Sequence, residues 1–230
     1  NLVTNYSANN FYTRTFTKRP ELAVTDATEG IDYANAQAYG KTALHTLTPG
    51  EKMIQVIITD IAMMNDPDPL SQDASQEMGY AMAEKIDTDL TSVFTQFTTT
   101  VGSAGQPLTF GNVAAGVAQL RAAHAPGQIN IVLHPYQWHD IFTALGAPAA
   151  TQAFLGDLAN QALKDYFVGN WLAARWFVSG NVSVDGDTDA SGGIFTSQAI
   201  AFDSRIAPSM RPERDESLRA WEINMIAGWA

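Results

Sequence analysis

A long amphipathic helix near residues 75–97 is the feature that most constrains the fold of this chain. Apolar side chains recur there at intervals of three and four residues, and charged side chains occupy the remaining faces. About twenty-three residues at 1.5 Å each predict a rod roughly 35 Å long. Since apolar residues at helical spacing are usually core, we expect the stripe to serve packing alone. Its members are Met78, Met82, Ile86, Leu90, Val93, Phe94 and Phe97.

The residues around this helix predict where it begins and ends. Pro67 and Pro69 oppose extension toward the N-terminus. Asp73 followed by Gln76 resembles a capping box, and three threonines before Gly102 end the helix.

The middle of the chain predicts a compact mixed α/β unit. A helix over residues 110–123 precedes an unbroken apolar strand at 129–133, which is typical of a central strand buried on both faces. Pro135 then opens another helix, because the first turn tolerates a residue without an amide hydrogen. A further helix is expected at 151–163.

The last forty residues predict β-structure, with an alternating strand at residues 217–226 that carries Trp221, Ile223 and Met225 on one face. Arginines interleave with acids just before it, a pattern typical of a solvated surface or, in an assembly, of a subunit contact. These arginines are Arg205, Arg211, Arg214 and Arg219.

Residues 21–59 predict a long hairpin. Pro49 and Gly50 suit a type II turn, and a strongly apolar strand follows at 53–58. The preceding strand is polar on both faces and would be marginal as half of an isolated ribbon, so we expect another surface to cover it.

The first twenty residues predict an extended basic arm, because they carry Arg14, Lys18 and Arg19 and no acid. The arm is either a frayed chain end or a segment that lies across a neighbouring subunit. An acidic segment at residues 53–120, where Lys85 is the only basic residue, would receive it. Opposite charges on separate segments favour head-to-tail association.

Trp171, Arg175 and Trp176 form an aromatic and basic cluster with two interpretations. Protein interfaces are enriched in such residues, but burial in the core explains a tryptophan equally well. Both interpretations stay open at this point.

Composition excludes several functions. A net charge of −11 argues against gripping duplex DNA, which requires clustered cations. The absence of cysteine excludes disulfides and thiolate sites, and no apolar run is long enough to predict a membrane span. Charged residues make up only 16% of the chain, which suits a surface buried between subunits.

Two groups of potential metal ligands lack the spacing or the residue types of a metal site. His134 and His139 are five residues apart, unlike the four-residue spacing of zinc-binding helices, so we expect His134 to cap the strand end and His139 to be a surface or interface residue. The loop at residues 185–193 resembles a calcium loop but has Ala190 and Thr196 where Gly and Glu are required, so a β-turn between 182–184 and 194–195 is expected. With the hydrolase, phosphate and dinucleotide motifs also absent, we predict no catalytic, cofactor or metal site.

Three stretches together resemble the major capsid protein of tailed bacteriophages: residues 76–87, the Ile131-Val132-Leu133-His134-Pro135 run, and residues 199–201 followed by the arginine-rich 210–222. The resemblance spans roughly residue 17 to the C-terminus. It implies an α+β tailed-phage capsid fold, divided into an N-terminal arm (1–20), an extended β-hairpin loop with its return strand (21–59), a peripheral domain with the spine helix (60–108), an axial α/β domain (109–190) and peripheral β-strands (191–230).

The resemblance also implies a function. Copies would self-assemble into hexamers and pentamers of an icosahedral capsid that encloses double-stranded DNA without sequence-specific binding. The loop over 21–59 would lie on an adjacent subunit, and Lys41 falls there, although a lysine alone implies no crosslink. Scaffold, portal and decoration proteins are expected partners, with assembly in the host cytoplasm and residence in the virion. The alternatives are an encapsulin-like nanocompartment shell and a small α/β hydrolytic enzyme.

Overall fold

The computed structural model describes residues 2–8, 10, 12–30, 37–66, 70–146, 170–186 and 189–230. The helices within these ranges are α1 (Asp60–Asn65), α2 (Leu70–Ser92), α3 (Phe110–Ala122) and α4 (Pro135–Gly146). The strands are β1 (Thr4–Ser7), β2 (Arg14–Lys18), β3 (Thr42–Leu47), β4 (Gly50–Thr59), β5 (Ile129–Leu133), β6 (Asn170–Trp171), β7 (Ala174–Val178), β8 (Gly193–Thr196), β9 (Ala201–Asp215) and β10 (Ala220–Trp229). The predicted α+β class is confirmed.

The long sheet has the strand order β1-β9-β10-β4 and draws on both ends of the chain. Strand β10 pairs antiparallel with β4 along its whole length, from Ala220 opposite Thr59 to Trp229 opposite Gly50. Strand β1 joins the other edge parallel to β9. The predicted strand at 217–226 is therefore confirmed but begins later, because residues between β9 and β10 form the hairpin turn, in which Arg219 has a φ of 53°.

Helix α2 packs on one face of the long sheet. Met78 and Met82 are buried in one cluster with Ile223 and Met225 of β10, which confirms the predicted apolar stripe. The helix begins at Leu70, earlier than predicted, and continues after Ser92 as a 3-10 turn, Val93–Gln96. The capping box is wrong, because Asp73 lies inside the first helical turn.

A small sheet with the order β6-β7-β5-β8 forms the second core together with α3 and α4. All five residues of β5 are buried, with β7 parallel on one side and β8 antiparallel on the other. The central strand and the helix that opens at Pro135 are thus confirmed. The helix predicted at 151–163 lies outside the described residues.

The predicted hairpin over 21–59 is wrong in its pairing. Strand β3 pairs with β2, and β4 belongs to the long sheet. Pro49 and Gly50 connect two different sheets, and Gly50 does not have the positive φ that a type II turn needs at that position. We call the two-stranded sheet of β2 and β3 the ribbon.

The two cores meet at the C-terminal end of α2. Phe94 packs against Phe195 with ring centroids 5.5 Å apart, in a buried cluster that also contains Val132. Beside it, the Asp87 carboxylate accepts hydrogen bonds from Ser179 Oγ and Asn181 Nδ2, both at 2.9 Å. Apolar packing and a charge-assisted network therefore join the long helix to the small sheet.

Candidate assembly surfaces

The ribbon and the segments that continue it carry apolar side chains that the described part of the chain leaves uncovered. Beyond β2 and β3 the two segments stay together, since Gln37 Nε2 donates to Ala23 O at 2.6 Å and Ala23 N donates to Gln37 Oε1 at 2.9 Å. Leu22, Val24 and Leu44 are exposed along this excursion, Val24 by 98%. Exposed apolar residues gathered on one projection are typical of a protein-binding surface.

Three of the predicted contact residues lie together at the far end of the ribbon. Lys18 is paired with Thr42, and the next residues outward on the two strands are Arg19 and Lys41. All three basic side chains are exposed. Arg19 Nη1 donates to Tyr39 Oη at 3.2 Å, and its guanidinium lies over the Tyr39 ring, 5.1 Å from the ring centroid. The ribbon therefore presents a positive end.

Arg14 lies at the opposite end of the ribbon and has a partner in its own chain. Its Nε donates to Asp203 Oδ2 at 2.8 Å, and Arg205 Nη2 donates to the same oxygen at 2.5 Å. Burial raises the pKa of the Asp203 carboxyl, but hydrogen bonds and positive charge from both arginines outweigh this and hold the pKa below its usual value. Arg14 therefore has a partner within its own chain, and its expected contact with a neighbouring subunit stays a prediction.

The face of α2 turned away from the long sheet is acidic. Asp73, Glu77, Tyr80 and Glu84 follow one another at spacings of four, three and four residues, and all are exposed. Tyr80 is 63% exposed. This outer stripe combines negative charge with an amphipathic ring, which suits a basic and apolar partner.

The aromatic cluster divides between core and surface. Trp176 is 4% exposed and packs with Trp138, their centroids 6.1 Å apart, so it is a core residue and not a subunit contact. Arg175 and Phe177 are exposed on the other face of β7, as strand alternation requires. Trp171 lies in β6, opposite Ala174 of β7.

A second exposed apolar patch lies at the end of the long sheet, where α1 meets the turn between β9 and β10. The backbone N–H of Asp60 donates to Arg219 O at 3.0 Å, which brings the two segments together. Met64 is 84% exposed in this region. The patch, called the end patch below, consists of Ile61, Met64, Leu218 and Trp221.

Neither the two histidines nor the loop at residues 185–193 forms a metal site in the described part of the chain. The buried His134 ends β5, and its Nδ1 accepts from the backbone N–H of Tyr136 at 3.2 Å, while His139 is exposed. In the loop, Val184 bridges Ala190, which agrees with a turn there; β8, however, pairs with β5 instead of with 182–184. Within the described ranges no three His, Asp or Glu residues are grouped to hold a metal ion.

None of the helices in the described part of the chain combines the length and the apolar character needed to cross a membrane.

The sequence did not predict the Asp203 cluster or the end patch. Asp203 and Arg14 are 189 residues apart, and Arg205, expected in a solvated strip, is only 8% exposed. The one local hint was the alternation of Asp203 and Arg205, which puts both side chains on the same face of a strand.

Comparisons with known proteins agree with this architecture. The family model described as phage capsid protein matches residues 54–230. The structure is similar to that of Mycobacterium phage Che8 (TM-score 0.76, 20% identity, covering 94% of this chain and 79% of that one). It is also similar to the capsid of the cyanophage P-SCSP1u (TM-score 0.71, 14% identity, 99% and 82%) and of Ralstonia phage GP4 (TM-score 0.65, 13% identity, 99% and 81%). No curated protein matches the chain.

The matched segment includes α2, both cores, the strands β9 and β10 and β4 from Ile54 onward, and the structural likeness extends over the ribbon as well. The chain therefore belongs to the phage capsid protein family, as a structural capsid subunit with the fold of tailed-phage major capsid proteins.

Proposed function

We propose that copies of this chain close into an icosahedral shell of hexamers and pentamers that encloses double-stranded DNA. The observation that carries the proposal is the ribbon together with the segments that continue it, where Leu22, Val24 and Leu44 are exposed. An uncovered apolar projection is unfavourable in water and is stabilised when another copy covers it.

The contact that we propose is between the positive end of the ribbon and the outer stripe of α2 in the next copy. Lys18, Arg19 and Lys41 would meet Asp73, Glu77 and Glu84, with Tyr80 beside the apolar ribbon residues. Because donor and acceptor surfaces differ, the contact is heterologous and repeats around a ring. Its charges are exposed, so salt should weaken it over a screening length of about 8–10 Å.

We propose a domain division close to the one implied by the sequence. The long sheet with α2 unites residues from 60–108 and 191–230 with the strands β1 and β4, and these would form the peripheral domain. The small sheet with α3 and α4 would form the axial domain of residues 109–190, with β8 added from the following segment. The extended loop would begin at Arg14 instead of residue 21, because β2 is one of its strands.

The chain is a component of the virion, and we propose that it assembles in the host cytoplasm and carries out no bond-making chemistry. Its net charge of −11 would repel the packaged DNA, so we propose enclosure without sequence-specific binding and filling by an external motor. Scaffold, portal and decoration proteins are the further partners that we propose.

A charge-reversal experiment tests the contact. Lys18→Glu with Lys41→Glu should abolish closed particles in negative-stain electron microscopy after size-exclusion chromatography, and Glu77→Lys with Glu84→Lys should do the same. All four changes in one chain should restore particles, since every copy then carries a matched pair of surfaces.

Two results would contradict the proposal. Particles that form normally from both double variants would show that this contact is not used. A wild-type chain that forms no particles, with or without a scaffold supplied, would argue against the shell itself. Particles that contain protein cargo in place of DNA would favour the nanocompartment alternative.

A further inference from the structure

The ribbon joins the body of the chain at its Arg14 and Leu47 end. These two residues form the first pair of the β2–β3 register, and the ribbon is a separate two-stranded sheet. An isolated two-stranded sheet is marginal in water, so its direction relative to the body depends on contacts at this end.

The Asp203 carboxylate is the central group of those contacts. It is fully buried on β9, and its Oδ2 accepts from Arg14 of the ribbon and from Arg205 of its own strand. The Arg205 side chain is 3% exposed and that of Arg14 is 30% exposed. One carboxylate oxygen therefore links the ribbon to the long sheet.

The same group of side chains also holds the segment between β1 and β2. Arg205 Nη1 donates to Asn10 O at 2.7 Å and to Asn10 Oδ1 at 2.8 Å. The guanidinium of Arg14 lies 5.0 Å from the centroid of the Tyr6 ring, and this ring packs on Phe16 of the ribbon at 5.1 Å. Arg14 and Phe16 of the ribbon thus contact β1, and Arg205 of β9 contacts the segment that follows β1.

Net stability is a poor explanation for burying these charges. Removing charged groups from water is costly, and Asp203 Oδ1 and Arg205 Nε are buried with no hydrogen-bond partner among the described residues. An apolar contact would avoid this cost, but apolar contacts are not directional, whereas hydrogen bonds from guanidinium groups are.

We propose that Asp203 is a positioning residue: through Arg14 it fixes the direction in which the ribbon leaves the long sheet before any second copy binds. The benefit to assembly rests on the function proposed above. A ribbon that is already oriented loses less conformational freedom when it docks on a neighbour, so less of the contact energy is spent on ordering it.

The experiment measures the direction of the ribbon in the unassembled full-length chain. Because the chain has no cysteine, spin labels can be placed at Ala43→Cys on β3 and Ala81→Cys on α2, two exposed alanines. The distance distribution between the labels is measured by pulsed electron paramagnetic resonance. Arg14→Gln replaces the charged guanidinium with a shorter, neutral amide and leaves the pair of Asp203 and Arg205 intact.

We expect the distribution to at least about double in width in Arg14→Gln, because the ribbon then samples several directions. Lys18→Gln is the matched control: it makes the same change of charge on the same strand, at the exposed far end, and should keep the narrow distribution. Arg14→Lys keeps the charge but not the planar donor geometry and should broaden the distribution by an intermediate amount.

An unchanged width in Arg14→Gln, with circular dichroism like that of the wild type, would overturn the proposal. This result is independent of shell formation, which electron microscopy of the unlabelled chain reports separately. A failure of the proposed shell function would therefore leave the measurement of ribbon direction interpretable.

Discussion

Arg214 binds Asp60 through two hydrogen bonds, from Nη1 to Oδ1 at 2.5 Å and from Nη2 to Oδ2 at 2.8 Å. Asp60 is the first residue of α1, and Arg214 lies near the end of β9, so the pair connects the helix to the β9–β10 hairpin. The guanidinium also lies 5.6 Å from the centroid of the Trp221 ring. The hydrogen bonds between Arg214 and Asp60 therefore hold together the two segments that carry the end patch.

Acid should weaken this connection. The hydrogen bonds from Arg214 hold the pKa of Asp60 below its usual value, against the effect of partial burial. A carboxyl whose pKa is lowered by folding stabilises the folded state above its unfolded pKa of about 3.9, and the contribution is lost as the pH falls through the folded pKa. Asp60→Asn should therefore lower the melting temperature at pH 7, and the difference from wild type should shrink below about pH 4.

Thermal unfolding followed by circular dichroism across this pH range is the measurement. Glu84→Gln, on the exposed face of α2, is the control for the loss of one negative charge and should melt close to the wild type at pH 7. A difference between Asp60→Asn and wild type that stays constant down to pH 2 would contradict the role of the ion pair.

Two glycines should respond to alanine in opposite directions. A Cβ at Gly193 would lie 2.8 Å from Phe94 Cδ1, where the two cores meet, so Gly193→Ala should destabilise the chain by about 1–3 kcal/mol through overpacking. A Cβ at Gly79 would meet nothing within 4 Å on the exposed side of α2, and Gly79→Ala should stabilise it by about 0.5–1 kcal/mol. Urea unfolding of both variants measures the difference. A stabilised Gly193→Ala would show that the packing at Phe94 is looser than described, and a destabilised Gly79→Ala would contradict the expectation for the helix.

Replacing the two residues of the turn between β6 and β7 with residues that favour a left-handed backbone should stabilise the chain. Leu172 and Ala173 have φ values of 53° and 55°, the left-handed region that a type I′ turn requires and that side chains with a Cβ disfavour. Leu172→Asn with Ala173→Gly should raise stability by about 1 kcal/mol or more. The melting temperature measures this, and a lower value would mean that the leucine makes a compensating contact.

Truncating a side chain to alanine should lower the stability of the unassembled chain in the core but not in the end patch. Ile131 is fully buried in β5, so Ile131→Ala should cost about 2–5 kcal/mol in the unassembled chain. Met64→Ala removes an exposed side chain and should change the stability of the unassembled chain by less than about 0.5 kcal/mol. Urea unfolding under conditions that prevent assembly distinguishes them, and a large loss in Met64→Ala would show that the end patch is packed within the chain.

The sequence predicted the elements whose signal is local. The stripe of α2, the uninterrupted apolar run of β5 and the proline that opens α4 each depend on residues within a few positions, and each is confirmed. The sequence could not distinguish the environments of the basic residues in the arm. Arg14 and Lys18 look alike in sequence, although Arg14 binds Asp203 and Lys18 is exposed.

By itself, the sequence determined the long helix α2, the helices α3 and α4, the strands β4, β5 and β10, and which of their faces are apolar, because periodicity follows from backbone geometry alone. Only the tertiary structure decided that β3 pairs with β2, that β4 pairs with β10, and that Asp203 lies between two arginines. The physical reason is that a strand edge offers the same row of N–H and C=O groups to any partner. The choice among partners is made by contacts between residues far apart in the chain, which no local pattern records.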